Sequence, residues 1–252
     1  MPCLAIIPAR GGSVGLPFKN VRKFMGTPLV RLAVIVAEVV PEIDDFVVST
    51  NRETIACAAN TYHVVKRPEE LSTGYVGDVR VLTHALLTYE QNVGKEFDEI
   101  VMLQPTSPLR LATDVSRAIQ WRREGNWDAV WTVSPTDTKY HPIKQLAMRE
   151  GQLVFAHPDG STILARQQLT QSYTRNGVAY VMTRECLLGQ QTTLGAKSSA
   201  IIVDTPQVSI DTIEDLELAE MLMIQRIEQQ AKRNKPMHSL DDNQDTDAVA
   251  NA

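Results

Sequence analysis

Short apolar runs alternate with segments of helical periodicity along most of this chain, and that alternation restricts the folds open to it. Strand-length apolar runs occupy four ranges: residues 3–8, 45–50, 99–104 and 128–133. Segments with helical spacing follow them or lie between them, at about residues 27–40, 52–60, 79–91 and 112–124. This order predicts βαβ units and therefore an α/β fold with a mostly parallel sheet flanked by helices. Parallel strands are covered on both faces, which explains why residues 4–7 are apolar without alternation.

The pattern changes after the fourth strand. Residues 136–175 are richer in polar residues, proline and glycine, and they predict a small lobe that leaves the sheet. Two further strands are predicted at residues 177–182 and 200–203, and a helix at 213–233. The core is thus expected to comprise residues 1–135 and 176–233. Residues 234–252 are polar and acidic without periodicity, and we expect a disordered tail there.

Composition excludes several classes of function. The chain has 252 residues, 43% of them hydrophobic, which suits one large α/β domain with a small appendage. Its formal net charge of −5 argues against a nucleic-acid partner bound through phosphates. Cys3, Cys57 and Cys186 form no C-x-x-C pair, so neither a disulfide framework nor a zinc site is indicated. With no signal-like or membrane-spanning apolar run, we expect a cytoplasmic protein without a membrane partner.

The first strand runs into a glycine-rich loop, IPARGGSVGLPFKN, at residues 7–20. Gly11 and Gly12 let the backbone bring its N–H groups close to an anion, together with Ser13. Arg10 and Lys19 supply positive charge at either end. The pattern is typical of a phosphate-binding loop; a glycine-rich turn with two solvated basic residues is the alternative.

The loop fails the two commonest nucleotide-binding signatures. A P-loop requires Gly-Lys-Ser/Thr, whereas Gly15 is followed by Leu16 and Pro17. The glycine spacing also does not give G-x-G-x-x-G. Both an ordinary ATPase or kinase and a nicotinamide oxidoreductase are therefore disfavoured. Residues 49–51 and the PTSPLR segment at 105–110 also follow predicted strands, so all three segments are expected at the ligand-binding edge of the sheet.

Five segments resemble the acylneuraminate cytidylyltransferases, the CMP-sialic acid synthetase family. They are the first loop, LQPTSPLR at 103–110, HPIK at 141–144, and the pair ARQQL and RNGVAY at 165–169 and 175–180. The resemblance spans about residues 3–225. It implies a Rossmann-like fold of the nucleotide-diphospho-sugar transferase type, CTP and a sialic-acid-like sugar acid as substrates, and Mg²⁺ as cofactor. It further implies a homodimer in which the lobe embraces the other subunit, and a place in cell-surface polysaccharide synthesis.

The resemblance also implies roles for individual residues. Arg10 and Lys19, with the backbone of Gly11, Gly12 and Ser13, would hold the triphosphate, and Asn20 and Arg67 would contact the cytosine or ribose. Five residues would contact the sugar acid: Gln104, Lys144, Arg166, Asn176 and Tyr180. Asp211 and Ser209 would hold the metal, with Arg10, Lys19 and Asp211 as the catalytic set. The alternative for Tyr180 is an ordinary aromatic residue of a strand. The alternative for Asp211 is one of several acidic residues that complement the dipole of the following helix.

Three departures from the family pattern leave other functions open. Val14 stands where the family has a lysine, the base-recognition loop reads LSTGYVGD at 71–78, and Ser209 replaces the first aspartate of a D-x-D pair. On a strand, Ser209 and Asp211 would still face one side. The alternatives are a nucleotidylyltransferase of the same fold acting on another ulosonic acid, a phosphonate or with another base, and an inactive binding or regulatory homologue.

Overall fold

A computed structural model of the chain describes residues 1–13, 15–163 and 165–233, without the side chain of Arg166. Val14 and the predicted tail at 234–252 lie outside the described residues. In chain order the first half contains β1 (Cys3–Pro8), β2 (Lys23–Phe24), β3 (Thr27–Pro28), α1 (Leu29–Val39), β4 (Asp45–Thr50), α2 (Glu53–Ala59), β5 (Val64–Lys66), α3 (Asp78–Val93), β6 (Glu99–Met102) and α4 (Ala112–Glu124). The second half contains β7 (Ala129–Pro135), β8 (Leu146–Arg149), β9 (Gln152–Phe155), β10 (Tyr173–Thr183), α5 (Arg184–Leu188), β11 (Ser198–Ile202) and α6 (Ile213–Arg233).

Seven of the described strands form one sheet in the order β11-β7-β10-β6-β1-β4-β5. The pairs on both sides of β1 are parallel, so that Ile6 lies opposite Val47 of β4 and Met102 of β6. Strand β10 is antiparallel to both of its neighbours, β6 and β7. The predicted mostly parallel α/β sheet is therefore confirmed, with one antiparallel strand inside it.

The sheet is buried on both faces, as the unbroken apolar run of β1 predicts. Cys3, Ala5 and Ile7 pack in one core cluster, which contains the inner faces of α1 and α4. Leu4 and Ile6 point to the opposite face and pack in a second cluster with α3. At about 25 cal/mol per Å² of buried apolar surface, these two clusters supply the main driving force for folding.

A third apolar cluster ties the glycine-rich loop to the end of the chain. It consists of Leu16, Phe24, Leu29, Leu109, Ile210, Leu216 and Ala219. These residues come from the first loop, the β2–β3 hairpin, the start of α1, the PTSPLR segment, and α6 with the segment before it. The cluster therefore brings residues about 200 positions apart in sequence to one end of the sheet.

Several element boundaries differ from the sequence-based predictions. The helix predicted from residue 27 begins at Leu29, because Met25 and Gly26, with φ of 47° and 86°, turn a short hairpin immediately before it. The strand predicted over residues 99–104 ends at Met102. Strand β5 was not predicted, since three residues at a sheet edge give too short a pattern.

Residues 136–172 leave the sheet after β7 and return to it at β10. They contain short 3₁₀ turns and the antiparallel hairpin β8–β9. Four apolar side chains of this hairpin are exposed: Leu146, Met148, Leu153 and Phe155. None of the described helices is both long enough and apolar enough to cross a bilayer.

Candidate active site

A cavity of about 510 Å³ opens beyond the carboxyl ends of β1, β5 and β6. This is the edge at which open α/β sheets bind their ligands. Its wall is formed by Pro8, Arg10, Ser13, Gly15, Lys19, Asn20, Arg67, Leu71, Thr73, Gly74, Val76, Asp78, Val81, Gln104, Pro105, Thr106, Ser209 and Asp211. The structure thus brings together eight of the predicted site residues: Arg10, Ser13, Lys19, Asn20, Arg67, Gln104, Ser209 and Asp211.

Two asparagines fix the shape of the glycine-rich loop. The amide of Gly11 donates to Oδ1 of Asn51 at 2.8 Å, and Nδ2 of the buried Asn20 donates to the carbonyl of Arg10 at 2.8 Å. A side chain at position 11 would meet Cγ of Arg52 at 2.4 Å, and Gly12 has a φ of 72°, so both positions favour glycine. Arg10 and Ser13 line the cavity, whereas Gly11 and Gly12 line two neighbouring depressions that Arg10 also borders.

Lys19 and Asp211 form an ion pair at the mouth of the cavity, with Nζ 2.7 Å from Oδ1. The side chain of Lys19 is 16% exposed and that of Asp211 is 71% exposed. Asp215 holds the backbone there, because its Oδ2 accepts from the amides of Asp211 and Thr212 at 2.9 and 2.8 Å. Hydrogen bonds from these amides lower the pKa of the Asp215 carboxyl. Asp215, in the first turn of α6, thus caps the start of that helix. The same hydrogen bonds fix the position of Asp211.

Arg67 is buried in the cavity wall behind β4. Its Nε donates to Oγ of Ser49 at 3.1 Å and its Nη2 donates to the carbonyl of Ser49 at 2.8 Å. Burial lowers the pKa of the Arg67 guanidinium to about 10; the positive charge of Arg10 acts in the same direction and Asp78 in the opposite one. The group remains a cation at neutral pH. Arg10, Lys19 and Arg67 therefore give one cavity three fixed positive charges, an arrangement suited to an anionic ligand.

The LQPTSPLR segment divides into a part that faces the cavity and a part that holds the turn. Gln104 and Thr106 line the cavity. Arg110 is buried instead, and its guanidinium donates to the carbonyls of Val178, Gln104 and Gly177 at 2.5, 2.6 and 2.9 Å. Burial lowers the pKa of Arg110 to about 9. Arg110 therefore acts as a structural clamp between the end of β6 and β10.

Three residues predicted to contact a sugar acid, Lys144, Asn176 and Tyr180, do not line this cavity within the described part of the single chain. Oδ1 of the buried Asn176 accepts from Thr132 Oγ1 at 2.7 Å, and its Nδ2 donates to Ser134 Oγ. The Tyr180 hydroxyl accepts from the Gly177 amide at 3.0 Å, and its ring packs on Trp131. Lys144 is exposed in a 3₁₀ turn of the lobe, and only the backbone of Arg166 is described. Their contact with a sugar acid stays a prediction.

Sequence reasoning missed Thr73, Gly74 and Asp78 as cavity residues, although it noted the unusual loop that contains them. The strand predicted to carry Ser209 and Asp211 is wrong, because residues 203–212 are irregular. Both side chains line the cavity all the same, since the third apolar cluster buries Ile210 between them. No cluster of three or more His, Cys, Asp or Glu residues suited to a metal ion occurs within residues 1–13, 15–163 and 165–233.

The fold is that of the nucleotidyltransferases. One similar solved structure, a CMP:2-keto-3-deoxy-manno-octonic acid synthetase complexed with CTP, aligns with a TM-score of 0.64 at 18% identity and covers 90% of this chain and 100% of that one. A second, 4-diphosphocytidyl-2C-methyl-D-erythritol synthase from Anaerococcus prevotii, aligns with a TM-score of 0.60 at 14% identity and covers 88% and 96%.

Two curated relatives and a family model identify the family within this fold. The chain is 27% identical over 238 residues to the CMP-N,N'-diacetyllegionaminic acid synthase of Legionella pneumophila, covering 88% of this chain and 97% of the relative. It is 28% identical over 226 residues to the pseudaminic acid cytidylyltransferase of Campylobacter jejuni, covering 88% and 96%. A family model described as cytidylyltransferase matches residues 4–240. The chain belongs to this family, which confirms the resemblance inferred from its motifs.

Proposed function

We propose that this protein activates a nonulosonic, sialic-acid-like sugar acid with CTP, giving the CMP-sugar and pyrophosphate. The observation that carries the proposal is the convergence of Arg10, Lys19 and Arg67 on one cavity at the carboxyl edge of the sheet. Family membership and relatives named for legionaminic and pseudaminic acid support the substrate class.

In the proposed reaction the anomeric hydroxyl of the sugar acid attacks the α-phosphorus of CTP. A new P–O bond forms, the bond to the β-phosphate breaks, and pyrophosphate leaves with the electron pair while the hydroxyl proton passes to solvent. Such transfers depend on positioning and on stabilisation of charge. Arg10 and Lys19 hold the triphosphate, with Gly11, Gly12 and Ser13 shaping the loop beneath it.

We propose Mg²⁺ as the cofactor, held by Asp211 with Ser209 beside it. The donor set fits, because Mg²⁺ often takes one or two carboxylates together with substrate phosphates, and Asp211 presents an exposed carboxylate in the cavity wall. The ion would neutralise charge on the transferred phosphoryl group. Lys19 holds Asp211 in place through their 2.7 Å ion pair.

We propose a homodimer in which the lobe of one subunit reaches the cavity of the other. Two observations support it: the exposed apolar side chains of β8 and β9, and the exposed Lys144 of the same lobe, which does not line the cavity of its own subunit within the described residues. Sedimentation velocity of wild type and of Leu153→Asp tests this. A monomeric wild-type protein would contradict it.

The cytoplasm is the proposed compartment. Cys3, Cys57 and Cys186 are all free thiols, as a reducing compartment favours.

The decisive experiment is a matrix of pyrophosphate release that crosses the four nucleoside triphosphates with a panel of ulosonic acids, with and without Mg²⁺. Release with CTP and a nonulosonic acid supports the proposal. Release only with another acid or base would favour the alternative that the Leu71 to Asp78 loop and Val14 leave open, a nucleotidylyltransferase of different specificity. No release in any combination would indicate an inactive homologue.

A further inference from the structure

A carboxylate in the cavity wall has no partner within the described chain. Asp78 is the first residue of α3, is half-buried and lines the cavity. No hydrogen bond, and no ion pair within 4.0 Å, joins its side chain to another described residue. An unpaired acceptor in a concave site is available for a donor on a ligand.

Arg67 lines the same cavity, and one of its donor groups, Nη1, is not bonded to any described residue. Its Nε and Nη2 are bonded to Ser49. Asp78 is near enough to raise the pKa of Arg67 against the effect of burial, yet the two groups do not form an ion pair. The wall thus presents an acceptor-only group and a donor-only group that are not joined to each other.

The segment that carries Asp78 also contributes apolar side chains to the cavity wall. Leu71, Val76 and Val81 line the cavity, on the segment that connects β5 to α3 and on α3 itself. Lys19 and Asp211 line it from other segments, the glycine-rich loop and the residues before α6. A flat heterocycle suits the apolar side chains, and phosphates suit the cations.

The hydrogen-bonding edges of the pyrimidines differ at the groups that such a pair would meet. Cytosine carries an exocyclic amino group, which donates, beside two ring acceptors. Uracil carries a carbonyl oxygen in place of that amine. A carboxylate accepts from the cytosine amine and repels the uracil oxygen, as carboxylates do when they read cytosine in nucleic acids.

We propose that Asp78 selects cytosine by accepting a hydrogen bond from its exocyclic amine, while Arg67 donates to the ring acceptors on the same edge. This inference rests on the proposed function and deepens it by naming the residue that distinguishes CTP from UTP. The competing explanation is that Asp78 only complements the dipole of α3 from its first turn.

The test compares Asp78→Asn with wild type for CTP and UTP. Asparagine keeps the size of the side chain, and its amide can donate to the uracil oxygen. We expect the ratio of kcat/KM for CTP over UTP to fall by about 10-fold or more, the size expected for loss of one hydrogen bond to a charged group. Calorimetric binding of each nucleotide without sugar acid should show the same shift.

Asp204→Asn, the same change at an exposed site outside the cavity, should leave the ratio unchanged. An unchanged ratio in Asp78→Asn, with or without loss of thermal stability, would overturn the inference and leave the dipole role. So would a wild-type preference for UTP or GTP in the binding experiment. Because binding is measured without turnover, a protein that releases no pyrophosphate refutes the proposed function and leaves this test intact.

Discussion

The ammonium of Lys19 lies 2.7 Å from the carboxylate of Asp211, and the two residues are 192 positions apart in the chain. Lys19 belongs to the glycine-rich loop and Asp211 precedes α6, so the pair joins the two segments that the third apolar cluster packs together. An ion pair whose carboxylate is 71% exposed adds at most about 1 kcal/mol to stability. Its main effect is on position: Lys19, mostly buried along its stem, presents its charge at the cavity mouth.

Replacing Lys19 with alanine removes that charge from the proposed triphosphate site. We expect Lys19→Ala to lower kcat by at least about 100-fold, because one positioned group that stabilises developing charge is worth about 10²–10³ in rate. Steady-state pyrophosphate release measures the effect, and circular dichroism checks that the fold is retained. Lys23→Ala, at an exposed lysine of the β2–β3 hairpin, is the matched control. Near-normal turnover in Lys19→Ala would remove this residue from the mechanism.

Asp215 positions Asp211 through the backbone, so its loss should affect both stability and activity. Alanine at position 215 removes the acceptor for two amides, and we expect a loss of about 1 kcal/mol of unfolding free energy, the usual cost of a lost cap. We also expect a rise in the Mg²⁺ concentration needed for half-maximal activity, since Asp211 is less well held. Asp215→Asn, which keeps an acceptor, should recover most of both.

The pH dependence of the same variant follows from the lowered pKa of Asp215. The unfolded carboxyl takes up a proton near pH 3.9, above the pKa of the folded one. Asp215 therefore contributes its full stabilisation above about pH 4, and that contribution is lost as the pH falls through the folded pKa. Urea unfolding at pH 7 and pH 3 should show the difference between wild type and Asp215→Ala shrinking in acid. A difference that grows in acid would contradict this role.

Ser209 offers a gain-of-function test of the proposed metal site. It lines the cavity together with Asp211, so Ser209→Asp would place a second carboxylate where Mg²⁺ is expected. Carboxylates are far stronger Mg²⁺ ligands than hydroxyls, and we expect the half-maximal Mg²⁺ concentration to fall several-fold. Titration of activity and of Mn²⁺ binding by electron paramagnetic resonance both report it. Ser209→Asn, similar in size but uncharged, should not show the effect, and an unchanged titration in Ser209→Asp would argue against a metal here.

The sequence predicted the architecture well where buried strands and amphipathic helices repeat. β1 carries an apolar run because both of its faces are covered, and that run is visible without any structure. β5 and the β2–β3 hairpin escaped prediction because their few residues have no measurable period. β5 forms because it pairs with β4, a tertiary contact that a short stretch of sequence does not reveal.

For the site, sequence motifs located residues at strand ends but not what each side chain contacts. Arg10, Lys19 and Gln104 line the cavity because they directly follow strands or belong to loops that do. Asn176 and Tyr180 belong to the RNGVAY motif, which follows the family pattern as well. Their polar atoms instead accept hydrogen bonds from Thr132 and Gly177, where the pairing of β10 with β7 is irregular. Whether a polar side chain on a strand faces the cavity is determined by the fold. The position of Asp78 in the cavity wall depends likewise on the path of the irregular loop between β5 and α3.

Arg110, the last residue of the LQPTSPLR segment, is expected to affect stability rather than catalysis. Its guanidinium donates to three backbone carbonyls, and alanine would remove that donor from all of them, leaving the Gln104 carbonyl only the amide of Ser107 at 3.3 Å. Each unsatisfied buried group costs about 1–3 kcal/mol, so we expect Arg110→Ala to lose about 3 kcal/mol or more of unfolding free energy in urea titrations. Arg80→Ala, at an exposed arginine of α3, should lose less than about 1 kcal/mol. If Arg110→Ala unfolded like Arg80→Ala yet abolished turnover, Arg110 would instead act on the substrate, and its role as a structural clamp would be wrong.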